Sequence, residues 1–207
     1  MKLRGLYAIT PDGSDRTGLS DRVHDALDGG LAALQYRSKR LPPWRRLSEA
    51  KAYAALCRTR GVPFIVNDDV EIALAAGADG VHLGRDDGDV AAARLKLRGK
   101  LLGVSCYDSL AAARAAVAAG ADYVAFGSVF ASPTKRSAVR APHALFAEAR
   151  ALGVPLVAIG GITLANASHL LQAGADVLAV ISDLFDAPDI AGRARAYGKL
   201  FQHDDAQ

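Results

Sequence analysis

The chain has 207 residues, 51% of them hydrophobic, enough for one domain to bury roughly 70% of its unfolded surface without a stabilising staple. With 25 Lys and Arg against 22 Asp and Glu the net charge is only +3, and no basic run is interleaved with aromatics, which excludes a nucleic-acid partner. Cys57 and Cys106 stand far apart with no CxxC or Cys/His cluster, so a disulfide framework or zinc site is not indicated and a reducing cytoplasm fits.

Residues 1–10 hold two basic residues and a short apolar stretch closed by Pro11 and Asp12, too little for the core of a signal peptide. Residues 3–10 therefore read as a first strand. Apolar runs at 31–37, 63–67, 80–84, 101–106, 123–130, 155–160 and 176–182 bring the candidate strands to eight. Alanine-rich or amphipathic stretches at 47–60, 90–98, 110–119, 144–152 and 164–173 are long enough for helices, and Trp44, beside Pro42 and Pro43, reads as a packing residue at a helix start. Asp, Arg or Gly interrupts every apolar run before the ~20 residues of a membrane span, so a soluble protein is expected.

Ala-Gly-Ala-Asp occurs three times, at 76–79, 119–122 and 173–176, each time closing a helix and leading into a strand. The intervals correspond to two βα units each, because one unit takes roughly 25 residues when eight fill this length. Near-continuous apolar strands separated by helices require a parallel sheet covered by helices. The first turn lacks the GxGxxG of a doubly wound sheet. The expectation is α/β, a single (β/α)8 TIM barrel domain over 1–207, with no linker or break in composition.

Such barrels place their active site at the C-terminal ends of the strands. Strand 2 ends Gln35-Tyr36-Arg37-Ser38-Lys39, and a period of two sets Gln35, Arg37 and Lys39 on one face, opposite Leu34 and Tyr36. Charges facing a barrel mouth call for an anionic partner. Strand 3 ends Asn67-Asp68-Asp69, where one residue is expected to cap the next helix. One strand over, His82-Leu83-Gly84-Arg85-Asp86-Asp87 adds carboxylates at a distance of about 5 Å between strands, a pattern suited to Mg²⁺ with substrate phosphate oxygens. His82 reads as a packed strand histidine in preference to a base. Ser105 beside Cys106 has no activating His near it in sequence and reads as a hydrogen-bonding contact. The loop Ser132-Pro133-Thr134-Lys135-Arg136 follows strand 6 and supplies hydroxyls and cations. Gly160-Gly161-Ile162 and Val180-Ile181-Ser182 end strands 7 and 8, where these barrels commonly bind phosphate.

In order along the chain, QYRSK, VNDD, HLGRDD, GVSC, SPTK, IGGI and VIS resemble the motifs of the thiamine phosphate synthase family. The resemblance implies transfer of the hydroxymethylpyrimidine group from its diphosphate to thiazole phosphate, with Mg²⁺, giving thiamine monophosphate and pyrophosphate. It implies that Gln35, Tyr36, Arg37, Ser38, Lys39, Asn67, Ser105 and Lys135 hold the pyrimidine diphosphate, and that Arg37, Lys39 and Lys135 stabilise the departing charge. Asp68 and Asp87 would bind the metal, and Ser132, Pro133, Thr134, Gly161, Ile181 and Ser182 the thiazole phosphate. The partners implied are small-molecule substrates, without nucleic acid or membrane, and a homo-oligomer is compatible with the sequence. Arg85, Ser128 and Ser132 depart from the usual Gln, Pro and Thr; Arg85 either tightens diphosphate binding or pairs with Asp86. The alternative is a thiazole tautomerase-like or other phosphate-ligand-binding barrel without synthase turnover.

Overall fold

The computed structural model describes residues 3–12, 17–131 and 140–204, the last two of them by backbone alone. Its strands are β1 (Gly5–Ile9), β2 (Ala33–Tyr36), β3 (Phe64–Asn67), β4 (Gly80–Leu83), β5 (Leu101–Tyr107), β6 (Tyr123–Phe126), β7 (Leu156–Ile159) and β8 (Val177–Val180). Each pairs in parallel with the next, and β8 pairs with β1 to close the barrel. Around it run α1 (Leu19–Asp28), α2 (Pro43–Arg60), α3 (Val70–Ala76), α4 (Val90–Lys96), α5 (Leu110–Ala118), α6 (Ala144–Ala149), α7 (Ala167–Ala173), α8 (Ser182–Phe185) and α9 (Ile190–Asp204). The expected (β/α)8 barrel is the observed architecture.

Period-two alternation divides each strand between two cores. Tyr7, Ile9, Ala33, Ile65, Tyr123, Ala125, Val157, Val177 and Ala179 fill the barrel interior. Leu6, Leu34, Phe64, Val81, Leu102, Val124, Leu156 and Leu178 face outward to the helices. Both faces are buried, which is why the strands read as continuous apolar runs. Among the described residues no helix is long and apolar enough to cross a membrane.

The Ala-Gly-Ala-Asp repeat has a mechanical role. Each Asp sits just ahead of an even strand and bonds twice to a residue at the start of the preceding strand, the first of β3 and β7 and the second of β5. Asp79 Oδ2 accepts from Phe64 N at 2.9 Å, Asp122 Oδ2 from Leu102 N at 2.7 Å and Asp176 Oδ2 from Leu156 N at 3.0 Å. In return the Asp backbone N–H groups donate to the carbonyls of Phe64, Leu102 and Leu156. These staples lie at the N-terminal ends of the strands, opposite the mouth. Ahead of β2 the same place is held by Ala32, whose N–H makes the equivalent bond to Leu6 O at 2.7 Å but which has no carboxylate.

Several expectations need correction. The strand expected at 123–130 ends at Phe126, because Ser128 turns the chain and donates its hydroxyl to Phe130 O at 2.7 Å. The helix expected from 164 begins at Ala167; Asn166 accepts from Thr163 N and donates to Gly161 O, holding the intervening residues in a turn. Trp44 starts α2 but is 73% exposed. It lies nine residues before the buried Tyr53, two and a half turns at 3.6 residues per turn, and so falls on the opposite face. α1 lies outside the stretches read as helices, whereas α3 fills the place between the acidic cap after strand 3 and the Ala-Gly-Ala-Asp at 76–79 expected to close a helix.

Candidate active site

The strand parity that builds the inner core also aims polar residues into the mouth. Gln35, Asn67, His82 and Ser105 continue the inward series Ala33, Ile65, Gly80 and Gly103. Ile181 follows Ala179 and packs on the inner cluster. Tyr36 does not join them. Its ring packs outward against Tyr53 of α2 and its hydroxyl donates to Glu49 Oε2 at 3.0 Å, so this side chain, expected at the substrate, faces away from the mouth.

Arg37 and Lys39 come to the mouth through a residue the sequence reading passed over, Asp12 just beyond β1. Its carboxylate pairs with Arg37 Nη1 at 3.1 Å and accepts from Lys39 N at 3.1 Å, with its side chain only 7% exposed. Thr10 completes the clasp, its Oγ1 accepting from Arg37 N at 2.9 Å. The Ser38 hydroxyl between the two cations is buried and has no hydrogen-bond partner among the described residues. Buried hydroxyls are rarely left so, and a ligand oxygen would satisfy it.

Of the three residues ending β3, Asp69 is the helix cap, accepting from Ile72 N at 2.9 Å. That leaves Asn67 and Asp68 free for the mouth. Asp68 adopts φ 67°, a left-handed conformation uncommon outside glycine and found at functional sites. Its Oδ2 lies 3.0 Å from Lys39 Nζ, and the Asp87 carboxyl is close enough to act on its ionisation. Asp87 is held from below by the Gly84 N–H, which donates to Oδ2 at 2.8 Å. Burial first, then the contact with Asp87, raises the Asp68 carboxyl above its ordinary value, against the opposing effect of Lys39. Two carboxylates forced together beside a lysine are a donor set for a hard cation that completes its shell with other oxygens. Among the described residues no group of three or more His, Cys, Asp and Glu gathers into a full protein cage.

Arg85 makes no ion pair with Asp86 among the described residues: its guanidinium stacks over the Tyr107 ring, 4.6 Å from the centroid. His82 is a packed strand histidine, 6% exposed, with Nε2 2.8 Å from Ser105 Oγ and Nδ1 3.2 Å from Tyr123 Oη. Burial lowers its pKa to about 4 despite the nearby Asp87, so the ring is neutral at physiological pH.

On the far side of the mouth, Gly160 and Gly161 have φ 103° and 65°, and Gly161 lies so close to Ala131 O and Phe130 that a Cβ would collide with them. Ser182, exposed, opens α8 directly after Ile181. Ser132, Pro133, Thr134 and Lys135 lie outside the described residues. Gln35, Arg37, Ser38, Lys39, Asn67, Asp68, Asp87 and Ser105 are thus brought to one arc of the mouth, β2 to β5, while Gly161, Ile181 and Ser182 occupy the arc at β7 and β8.

A family model described as thiamine monophosphate synthase matches residues 6–184. The chain is 60% identical over 202 residues to the thiamine-phosphate synthase of Aromatoleum aromaticum, covering 97% of each chain. It is 56% identical over 201 residues to that of Chromobacterium violaceum, again covering 97% of each. Among solved structures, a thiamine phosphate pyrophosphorylase from Pyrococcus furiosus superposes with a TM-score of 0.87 at 33% identity, covering 98% of each chain.

Proposed function

Given that the chain belongs to the thiamine monophosphate synthase family and is a transferase of thiamine biosynthesis, we propose that it moves a hydroxymethylpyrimidine group from its diphosphate onto thiazole phosphate, releasing pyrophosphate. One observation carries the reading: Arg37 and Lys39 stand on the same arc of the mouth as the neighbouring carboxylates of Asp68 and Asp87. A diphosphate requires cations, and a pair of carboxylates among them is explained by a divalent metal shared with the ligand.

Asp68 and Asp87 would hold Mg²⁺. Bound there, Mg²⁺ would neutralise charge on the diphosphate and make it a better leaving group. Arg37 and Lys39, with Lys135 carried over from the motif, stabilise the negative charge that grows as the C–O bond to pyrophosphate breaks. Gln35, Ser38, Asn67 and Ser105 orient the pyrimidine diphosphate. Ser132, Pro133, Thr134, Gly161, Ile181 and Ser182 hold the thiazole phosphate on the opposite arc. The pyrimidine ring stabilises the carbocation left behind, and the thiazole nitrogen captures it. No protein nucleophile or general base is needed, in keeping with the neutral, packed His82 and the buried Cys106. A cytoplasmic location belongs to the same proposal and is supported by two unpaired buried thiols, Cys57 and Cys106.

The test is to mix both substrates with Mg²⁺ and follow pyrophosphate and thiamine monophosphate together. Stoichiometric appearance of both is expected. Tight binding of the two substrates without release would sink the synthase reading in favour of a binding protein; a tautomerase-like barrel, by contrast, has no use for the carboxylate and cation cluster.

A further inference from the structure

Beneath the mouth a continuous chain of hydrogen bonds crosses the barrel interior. Gln35 Nε2 on β2 donates to Tyr7 Oη on β1 at 2.8 Å, and Tyr7 Oη lies 2.9 Å from Tyr123 Oη on β6. Tyr123 Oη lies 3.2 Å from His82 Nδ1 on β4, and His82 Nε2 lies 2.8 Å from Ser105 Oγ on β5. Space is reserved for it: a Cβ on Gly103 would run into the Tyr123 ring. Barrel interiors are usually filled with branched apolar side chains, and an unpaired polar group there costs stability. Two tyrosines, a glutamine and a histidine, all less than 7% exposed, are an expensive filling unless their polarity has a use.

Counting hydrogens gives the chain a direction. The Gln35 amide N–H can only donate, so Tyr7 Oη accepts from it and sends its own hydrogen to Tyr123. Tyr123 then sends its hydrogen to His82 Nδ1, its remaining partner. A neutral imidazole with Nδ1 accepting carries its proton on Nε2, which donates to Ser105 Oγ. The Ser105 hydroxyl, already accepting from the ring below, is left with its own hydrogen for a group in the mouth. The opposite orientation of the Gln35 amide would reverse every link and turn that hydrogen down onto His82.

We propose that Gln35, Tyr7, Tyr123 and His82 form a positioning relay that holds the Ser105 hydroxyl as a hydrogen-bond donor toward an acceptor atom of the bound pyrimidine diphosphate. This rests on the reading that Ser105 contacts that substrate. Tyr7, Tyr123 and His82 are positioning residues, acting through Ser105 and not on the reacting atoms.

Two measurements test the relay. In the ligand-free protein, ¹⁵N shifts of the His82 ring should show the proton on Nε2; a proton on Nδ1 overturns the proposal without any variant. In a double-mutant cycle, Tyr7→Phe keeps the ring and removes the link. It should lower kcat roughly five-fold in the otherwise unaltered enzyme but less than about two-fold when Ser105→Ala is already present. A merely structural effect would lower kcat equally in both backgrounds, and that result overturns the relay. Should Tyr7→Phe fail to fold, Tyr123→Phe completes the same cycle. Absence of pyrophosphate release by the unaltered enzyme is a separate outcome, which defeats the synthase reading and leaves the tautomer measurement to decide the relay.

Discussion

Replacing Asp176 with alanine is expected to cost about 2–3 kcal/mol of stability and leave turnover unchanged. The carboxylate accepts from Leu156 N at 3.0 Å and pairs with Arg150 Nη1 at 3.3 Å. Hydrogen bonds to charged groups contribute about 1.5–3 kcal/mol, and the upper half of that range applies where the site is shielded. The Asp176 side chain is only 14% exposed and Leu156 is 1% exposed, so the orphaned N–H gains little from water. Arg150, at 60% exposure, adds well under about 1 kcal/mol. In a domain of this size such a loss lowers Tm by roughly 5–10 °C. Urea unfolding should show a lower midpoint at constant slope, and steady-state assays an unaltered kcat, because the staple lies at the end of the barrel remote from the mouth. The same change at Asp122, whose side chain is 42% exposed, should cost less. A loss below about 0.5 kcal/mol at Asp176, or a fall in kcat matching the loss of stability, would refute the assignment of the repeat to a structural role.

Asp68→Asn removes the charge but suits the left-handed backbone at φ 67°, so the fold should be kept while the Mg²⁺ concentration for half-maximal activity rises roughly tenfold. An unaltered metal titration would remove Asp68 from the ligand set. Burial pushes the Cys57 and Cys106 thiols up to about 12 from an ordinary 9.0. Below pH 9 they are protonated whether folded or not; above it the unfolded chain ionises first, so stability should fall by up to about 1.4 kcal/mol per pH unit per thiol as pH rises from 9 toward 12. Urea unfolding of the unaltered chain and a Cys57→Ala/Cys106→Ala variant over that range should diverge, and parallel curves would refute the shift.

The strands were legible because burial on both faces leaves no alternation to misread, as in residues 63–67 and 155–160 against β3 and β7. α1 escaped although Leu19, Val23, Ala26 and Leu27 mark its buried stripe at helical spacing, because its exposed face is polar and charged and it lacks the alanine-rich character of helices such as α5. α3, seven residues long, is too short to show a periodic stripe and was legible only from its two ends, the acidic cap after strand 3 and the Ala-Gly-Ala-Asp at 76–79. At the site, chemistry-bearing side chains that end strands could be read from parity alone, as with Gln35 and Ser105. Asp12 was missed because strand 1 was read only as a start of the chain, yet it is a strand-tip carboxylate like those of strands 3 and 4. Tyr7 and Tyr123 share inward parity with Ile9 and Ala125, and a tyrosine at such a position must find a partner for its hydroxyl. Which partner it finds depends on contacts between strands distant in sequence, and no local pattern carries that.

The charge balance at the mouth bears on how the proposed substrate enters. Arg37 is already paired with Asp12 and Lys39 with Asp68, and Asp87 adds a further carboxylate beside Asp68. Within this group of five side chains, two cations against three carboxylates leave no surplus positive charge for a diphosphate. The cations are nonetheless held where such a ligand would need them, Arg37 by a carboxylate that also grips the Lys39 backbone. Pre-positioning of this kind lowers the ordering cost of binding but does not supply attraction. A divalent cation shared by Asp68 and Asp87 would reverse the local balance and free Lys39 from its partner, so diphosphate affinity and metal affinity at this site should be coupled, each raising the other.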